Sequence, residues 1–169
     1  MSNPLRYPEL TPPAGFAQAQ FGTLLQFLPP GESKDAPLAA MYLSPLLARA
    51  PHLPSSERLI ALAIEAEMKQ RIRLTDFREP SPFATSTGLS GLSVEIACIV
   101  VPTQARERRL YIMLTDDLCY YGINYIATPE VFDRHLPHYL AAAGSIRPFS
   151  GRAVTGFAAS AAVLKHYND

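Results

Sequence analysis

The sequence predicts an α+β protein in which helices sandwich a mainly antiparallel sheet. Residues 110–114 place apolar side chains on alternating sides of the chain, the period of two that a strand requires. Residues 118–127, LCYYGINYIA, are rich in Tyr and Ile, which suits a pleated sheet. Two further segments carry apolar residues at helical spacing. The resulting order of two strands, a helix, several antiparallel strands and a second helix is typical of the α+β class.

The N-terminal third is divided by prolines, of which the whole chain has 16. Residues 1–15 are predicted to form an extended arm, followed by a strand over residues 16–28. Pro-Pro-Gly at residues 29–31 ends that strand, because neither proline can donate to a ladder. A second strand is predicted over residues 38–43, and a proline-marked loop follows it over residues 44–54.

The first helix is predicted over residues 56–72. Ser55 is placed to cap its N-terminus, and every fourth residue from position 60 to position 72 is Ile or Met. Glu65 and Lys69 are spaced to form an ion pair on its exposed side.

The middle of the chain is predicted to be mostly strand. Residues 74–83 are expected to be extended and residues 85–91, TSTGLSG, to form a turn-rich connection. Residues 92–101, LSVEIACIVV, form an apolar run that favours a central strand buried on both faces. A strand over residues 110–115 and a turn at Asp116-Asp117 come next.

The second helix is predicted over residues 129–143. Thr128 is the expected N-cap and Pro129 the first helical residue. Phe132, Leu136 and Leu140 form one apolar stripe, and the following glycine is positioned to end the helix. Residues 16–149 are thus predicted to form a single domain, with a weakly helical tail over residues 150–169.

Charge and hydropathy exclude several function classes. Fifteen basic and fifteen acidic residues give zero formal net charge, so no electrostatic footprint for nucleic acid is present. The first 20 residues have neither a basic segment nor an uninterrupted apolar one, which predicts a cytoplasmic protein. No apolar stretch is long enough to predict a membrane span.

The order of elements resembles the superfamily of the photosystem II extrinsic protein PsbP. Its fold is shared by a yeast Ran-binding import factor, many bacterial lipoproteins and the Eag chaperones of type VI secretion effectors. The similar segments are FLPPG at residues 27–31, GLSVE at 91–95, LCYY at 118–121, PEVF at 129–132 and SIR, a short closing strand, at 145–147. The chain departs from the pattern at Glu32, where the family often has Trp, and in lacking a lipoprotein leader. The resemblance implies a PsbP-like α+β fold and supports a non-enzymatic role.

The sequence predicts no metal site and no cofactor. His135 and His138 lie three residues apart on one predicted helix, but a structural site normally needs four ligands, and surface histidines are the simpler interpretation. Asp116 and Asp117 lie at a hairpin tip, which supplies too few further oxygens for a divalent cation.

No catalytic residue is predicted either. The serines of TGLSGLS, residues 87–93, are not followed by the helix that a nucleophile elbow requires, and GLSG lacks the lysine of a phosphate-binding loop. Cys98 and Cys119 lie in apolar strands, where burial makes a thiol unreactive.

Aromatic residues are the remaining candidates for function. Tyr121 and Tyr125 share one side of a strand and Tyr120 lies on the other, so one sheet face is a candidate partner-binding surface. The alternative is that helices cover both faces. The tail, with Phe157 and Leu164, is a second candidate surface, because such a short apolar segment is expected to dock.

The predicted function is therefore binding of another protein, as a chaperone or adaptor. The partner is expected to be an effector or a second copy of the chain. A structural or self-associating subunit is the alternative, and a small hydrolase is the second alternative.

Overall fold

A computed structural model describes residues 5–49 and 54–149, and in this part of the chain it has one antiparallel sheet and two helices. The strands are β1 (Ala17–Phe21), β2 (Leu24–Leu28), β3 (Ala39–Leu43), β4 (Leu47–Ala48), β5 (Ile72–Phe77), β6 (Ser81–Ala84), β7 (Ser90–Val100), β8 (Ala105–Thr115) and β9 (Cys119–Ala127), and the helices are α1 (Ser56–Gln70) and α2 (Pro129–Gly144). The spatial order is β1-β2-β3-β9-β8-β7-β5, with β4 paired to β9 and β6 to β7. The predicted α+β fold class is confirmed.

The two helices lie on opposite faces of the sheet and are offset from each other. Helix α1 packs on β5, β7 and β8, whereas α2 packs on β3, β8 and β9. Strand β8 lies under both: Tyr111 belongs to the apolar cluster beneath α1, and its neighbour Ile112 to the cluster beneath α2. Each helix therefore covers only part of its own face of the sheet.

The core beneath α2 is built around three aromatic rings. The ring of Tyr125 lies 4.7 Å from Phe132 and 4.5 Å from Tyr139, measured between centroids. The hydroxyl of Tyr125 donates to the carbonyl oxygen of Phe132, and that of Tyr139 to the carbonyl oxygen of Phe27. These bonds satisfy phenol groups that burial would otherwise leave unpaired.

The predicted apolar stripe of α2 is only partly correct. Phe132 is fully buried, but Leu136 and Leu140 are half-buried at the rim, and Tyr139 takes the central position one turn on. Seven residues is close to two helical turns, so Phe132 and Tyr139 point the same way more closely than residues four apart. The helix also includes Gly144, and Ser145 is its C-cap.

Helix α1 begins as predicted and ends earlier. The Ser55 hydroxyl accepts from the backbone N–H of Arg58, which confirms the cap. The helix stops at Gln70, because Ile72 pairs with Val100 at the start of β5. Glu65 forms its ion pair with Arg58 at 3.4 Å.

The strand predicted over residues 16–28 is a hairpin. Gly22 adopts a φ of 58°, and the two-residue turn Gly22-Thr23 joins β1 to β2 with Phe21 opposite Leu24. A glycine with positive φ at the first turn position suits the type II′ turn of such hairpins. The long loop after β3 also contains a short strand, β4, which pairs with Tyr120 and Cys119.

Strand β7 is buried on one face only, so the prediction of a doubly buried strand is wrong. Val94, Ile96 and Cys98 are buried in the cluster beneath α1. Glu95 and Ala97 point to the other face, where they are half-buried. The reason is the offset of the helices, since α2 packs on β3, β8 and β9.

The described part of the N-terminal arm is bound to the body of the protein. The carbonyl oxygen of Arg6 accepts from the backbone N–H of Leu46, and that of Glu9 from Arg147. The expected closing strand at residues 145–147 is not a strand, because this bond to Glu9 replaces a ladder. The tail at residues 150–169 lies outside the described residues.

Candidate partner-binding surface

The three tyrosines predicted as candidate partner contacts are buried, so neither side of β9 presents an exposed aromatic surface at these positions. Tyr121 and Tyr125 are 0% and 2% exposed beneath α2. Tyr120, 3% exposed, lies on the other face against Leu47 and Leu59. The alternative, in which both faces of β9 are covered at these tyrosines, is the arrangement observed. Phe157 and Leu164 lie outside the described residues.

The hydroxyl of Tyr121 connects two segments that are distant in sequence. It donates to the Asp116 carboxylate at 2.7 Å and accepts from the backbone N–H of Phe149 at 2.7 Å. Burial raises the pKa of Tyr121 well above its ordinary value, so the phenol stays protonated. The other oxygen of Asp116 accepts from the N–H groups of Leu118 and Cys119, which closes the hairpin turn. These residues thus have a structural role.

A different part of the sheet is partly open, although Gln26, Leu28 and Ala40 on the same face are buried. On the face that α1 occupies, the helix packs mainly on β5, β7 and β8 and touches β9 only at Tyr120 among the buried residues. The side chains of β1, β2, β3 and the C-terminal end of β9 lie beyond it. We call the partly or fully exposed strand side chains of this region the open face. They are Ala17, Ala19, Phe21, Leu24, Tyr42, Asn124 and Ile126. None of these side chains is charged.

An aromatic pair is the largest feature of the open face. The Phe21 side chain is 48% exposed, and its ring centroid lies 5.6 Å from that of Tyr42. The Tyr42 hydroxyl accepts a hydrogen bond from Nε2 of Gln26, its cross-strand neighbour on β2. Burial raises the pKa of Tyr42, so the hydroxyl is neutral at physiological pH.

Gln26 anchors the loop over residues 29–38 beside the open face. Its side chain is fully buried, and Nε2 also donates to the carbonyl oxygen of Lys34. Oε1 has no hydrogen-bond partner among the described residues. Among the described residues, the Gln26 side chain is therefore held by two long hydrogen bonds, 3.2 Å to the Tyr42 hydroxyl and 3.4 Å to the Lys34 carbonyl oxygen.

The open face continues into a small apolar cleft under α1. Leu62 and Ala63 of the helix form one wall, and Met113, Gly122 and Asn124 of the sheet form the other. The cavity volume is about 30 Å³. A partner bound to the open face would contact apolar side chains at this cleft and would lie beside helix α1.

An ion-pair cluster closes the open face on the β8 side. Arg109 is 7% exposed and donates to Glu67 of α1, to Glu107 and to the hydroxyl of Tyr111. Burial alone would lower the pKa of Arg109, but Tyr111 and Glu107 raise it above its ordinary value, so the guanidinium stays charged. The cluster is internally paired and holds α1 to the sheet.

His135 and His138 pack beside Phe16, and the two cysteines are buried. The rings of His135 and His138 lie 6.2 and 5.8 Å from that of Phe16, and burial lowers the pKa of His135. Within residues 5–49 and 54–149, no group of three or more His, Cys, Asp or Glu side chains is placed to hold a metal ion. Cys98 and Cys119 are buried free thiols, and burial raises the pKa of Cys119 to about 11. No helix in this part of the chain is long and apolar enough to cross a membrane.

The sequence contained a weak signal for the open face. Asn124 and Ile126 lie on the same side of β9 as Tyr120, so the correct side of the strand follows from alternation. The aromatic members, Phe21 and Tyr42, come from other strands. The position of Tyr42 next to β9 depends on the pairing of β3 with β9, and that of Phe21 depends on the order β1-β2-β3, neither of which local pattern specifies.

Comparison with known proteins supports the fold. No family model and no curated protein matches the sequence. The solution structure of cyanobacterial PsbP from Synechocystis sp. PCC 6803 matches with a TM-score of 0.55 at 6% identity, over 86% of this chain and 95% of that chain. Protein PA94 from Pseudomonas aeruginosa, described as a protein of unknown function, matches with a TM-score of 0.48 at 13% identity, over 80% of this chain and 99% of that chain. The match to cyanobacterial PsbP shows that the chain has a PsbP-like fold.

Proposed function

We propose that this protein is a non-enzymatic binding protein of the chaperone or adaptor type, and that its open face receives an uncharged segment of another polypeptide. One observation carries the proposal: the exposed side chains of β1, β2, β3 and β9 on this face are uncharged and include the aromatic pair of Phe21 and Tyr42. Protein interfaces are depleted of charge at their centre and enriched in aromatic residues.

The chemistry of the thiols supports the non-enzymatic part of the proposal. Cys98 and Cys119 are the strongest potential nucleophiles among the described residues, and both are buried with raised pKa values. A protonated, enclosed thiol does not attack a substrate. The PsbP-like fold itself does not specify a function, because one fold hosts many.

The tail remains a second proposed contact. Phe157 and Leu164 are its large apolar residues, and a partner that binds the open face could also engage them. Self-association is the alternative use of the same open face.

The test compares two exposed phenylalanines at opposite ends of the sheet. Phe21, on the open face, is 48% exposed, and Phe77, at the end of β5, is 51% exposed. A random 12-residue peptide display library would be selected on the purified full chain, and affinities of the enriched peptides measured by calorimetry. Phe21→Lys is expected to weaken binding tenfold or more, since an aromatic anchor is worth at least about 1.4 kcal/mol. Phe77→Lys is expected to bind like the unmodified protein.

Four outcomes would count against the proposal. If no peptide is enriched, or if both lysine variants bind equally well, the open face is not the binding surface. If sedimentation shows a dimer that Phe21→Lys dissociates, the surface serves self-association. Turnover of a substrate in a general hydrolase screen by the purified protein would overturn the non-enzymatic assignment.

A further inference from the structure

The two edges of the sheet differ in their protection against strand pairing. Edge strand β5 carries Arg73 and Asp76, and a register shift interrupts its ladder between Leu74 and Asp76. Charges and bulges on an edge strand hinder pairing with another chain. Edge strand β1, with the sequence AQAQF, has no charge, no proline and an unbroken register with β2. It therefore lacks the features that keep sheet edges from accepting a further strand.

The hairpin turn determines which backbone groups of β1 point outward. In a two-residue turn, the residues that flank it, Phe21 and Leu24, share the closing hydrogen bond. Hydrogen-bonded pairs alternate along an antiparallel ladder, so Ala19 also bonds to β2. Gln18 and Gln20 consequently direct their N–H and C=O groups to the free edge. Within residues 5–49 and 54–149, no backbone hydrogen bond connects β1 to a strand other than β2.

We propose that the partner segment binds as an extended strand that pairs with β1 through Gln18 and Gln20. This inference rests on the proposed function and specifies the partner. A strand added to β1 extends the sheet, and every second side chain of that strand lies on the open face beside Ala17, Ala19 and Phe21.

The side chains of β1 define the chemistry of the partner. Ala17 and Ala19 are small, so they leave room for large apolar side chains of the added strand on the open face. Gln18 and Gln20 lie on the other side of β1, where exposed polar side chains of the partner are favoured. The partner is therefore an uncharged or weakly charged segment of five or so residues with alternating apolar and polar side chains. Arginine or lysine at the apolar positions would be excluded by desolvation.

The main experiment uses a peptide selected by the library described above and the ¹⁵N-labelled full chain. Hydrogen exchange is measured by NMR with and without the peptide. The amides of Gln18 and Gln20 are expected to become protected at least tenfold on binding, whereas those of Ala19 and Phe21, already bonded to β2, are expected to change little.

A pair of substitutions at one position separates backbone pairing from side-chain contact. Gln18→Pro removes the outward N–H group and is compatible with an edge strand, so it should leave the β1–β2 hairpin intact. It is expected to weaken peptide binding about tenfold. Gln18→Ala keeps the N–H group and is expected to bind within twofold of the unmodified protein.

The outcomes distinguish this inference from the proposed function. If Phe21→Lys abolishes peptide binding but Gln18→Pro does not, and the two amides stay unprotected, the open face binds without strand addition. If these amides are already protected in the free full chain, its own polypeptide occupies the edge and the inference is wrong. A dimer that Gln18→Pro dissociates would assign the edge to a second copy and would also overturn it. If no peptide is selected at all, both the inference and the proposed function fail.

Discussion

Gly91 on β7 is the position where the sheet is expected to tolerate a side chain least. A Cβ atom placed there would lie 1.9 Å from the backbone oxygen of Met113 and 2.9 Å from the Cα atom of Leu114 on β8. Real Cβ atoms essentially never approach another heavy atom closer than 3.0 Å. In Gly91→Ala, either β8 moves by about 1 Å or the end of the β7–β8 ladder opens.

Both responses are costly. Moving a central strand disturbs well-packed neighbours, which typically costs about 1 to 3 kcal/mol and sometimes more. Opening the ladder at Ser90 and Gly91 breaks backbone hydrogen bonds worth about 1 kcal/mol for each residue. It also exposes Leu89, whose burial is worth about 2 kcal/mol. The protein adopts the cheaper response, so the expected loss of unfolding free energy is about 2 to 3 kcal/mol. With a typical urea dependence of about 2 kcal/mol per molar, the midpoint should fall by about 1 to 1.5 M.

Gly122→Ala is the matched control. A Cβ atom at Gly122 would lie 3.3 Å from the Ser44 hydroxyl and 3.4 Å from the terminal methyl of Met113. Those groups end side chains that can adjust, so the expected loss is below about 1 kcal/mol. Equal midpoints for the two variants in urea unfolding, followed by circular dichroism, would refute the assignment of a close backbone approach at Gly91.

Three further predictions concern the core and its ion pairs. Arg109→Met is expected to lower the free energy of unfolding in urea by about 3 kcal/mol, because it leaves Glu67 and Glu107 without their partner. Arg58→Met breaks the exposed pair with Glu65 and should cost below about 0.5 kcal/mol. Similar losses for the two variants would show that the Arg109 cluster is solvated. Tyr125→Ala should lower the free energy of unfolding by about 3 to 5 kcal/mol, because the Tyr125 ring packs between Phe132 and Tyr139. Leu136→Ala should lower it by less than about 2 kcal/mol, because Leu136 lies at the rim. The reverse order would mean that the faces of α2 are misassigned. Burial raises the pKa of Cys119 from its ordinary value of 9.0 to about 11. The unfolded chain therefore loses this proton first, and the free energy of unfolding should fall as pH rises from 9 to 11. A decline as steep in Cys119→Ala as in the unmodified protein would exclude a contribution from this thiol.

Sequence pattern was sufficient where the determinants are local. The Ser55 cap, the helix start at Pro129 and the alternation along β8 each depend on residues within one or two turns or a single strand. The hairpin at Gly22-Thr23 was missed because its two turn residues lie within an apolar run that resembles one continuous strand.

The candidate site depended on long-range pairing, and therefore it could not be predicted. The alternation along β9 puts Tyr121 and Tyr125 on one side of the strand but does not show whether that side is exposed. Their burial follows only from the placement of α2 across β9. Tyr42 becomes part of the open face because β3 pairs with β9. The offset of the two helices, which leaves that face without a helix over it, is a property of the assembled sheet and has no local signature.

The pairing of β3 with β9 also has a consequence for how the chain folds. It brings together Leu43 and Ile123, eighty residues apart, whereas β7, β8 and β9 follow one another as hairpins. Contacts between distant residues form slowly, so the hairpins are expected to form first and the N-terminal strands to join them in the rate-limiting step. Replacing Met41, which lies opposite Tyr125 at this junction, with Ala should then slow refolding more than it speeds unfolding in stopped-flow urea experiments. Until that step is complete, the apolar side of β9 is exposed to solvent, and the protein passes through its most aggregation-prone state.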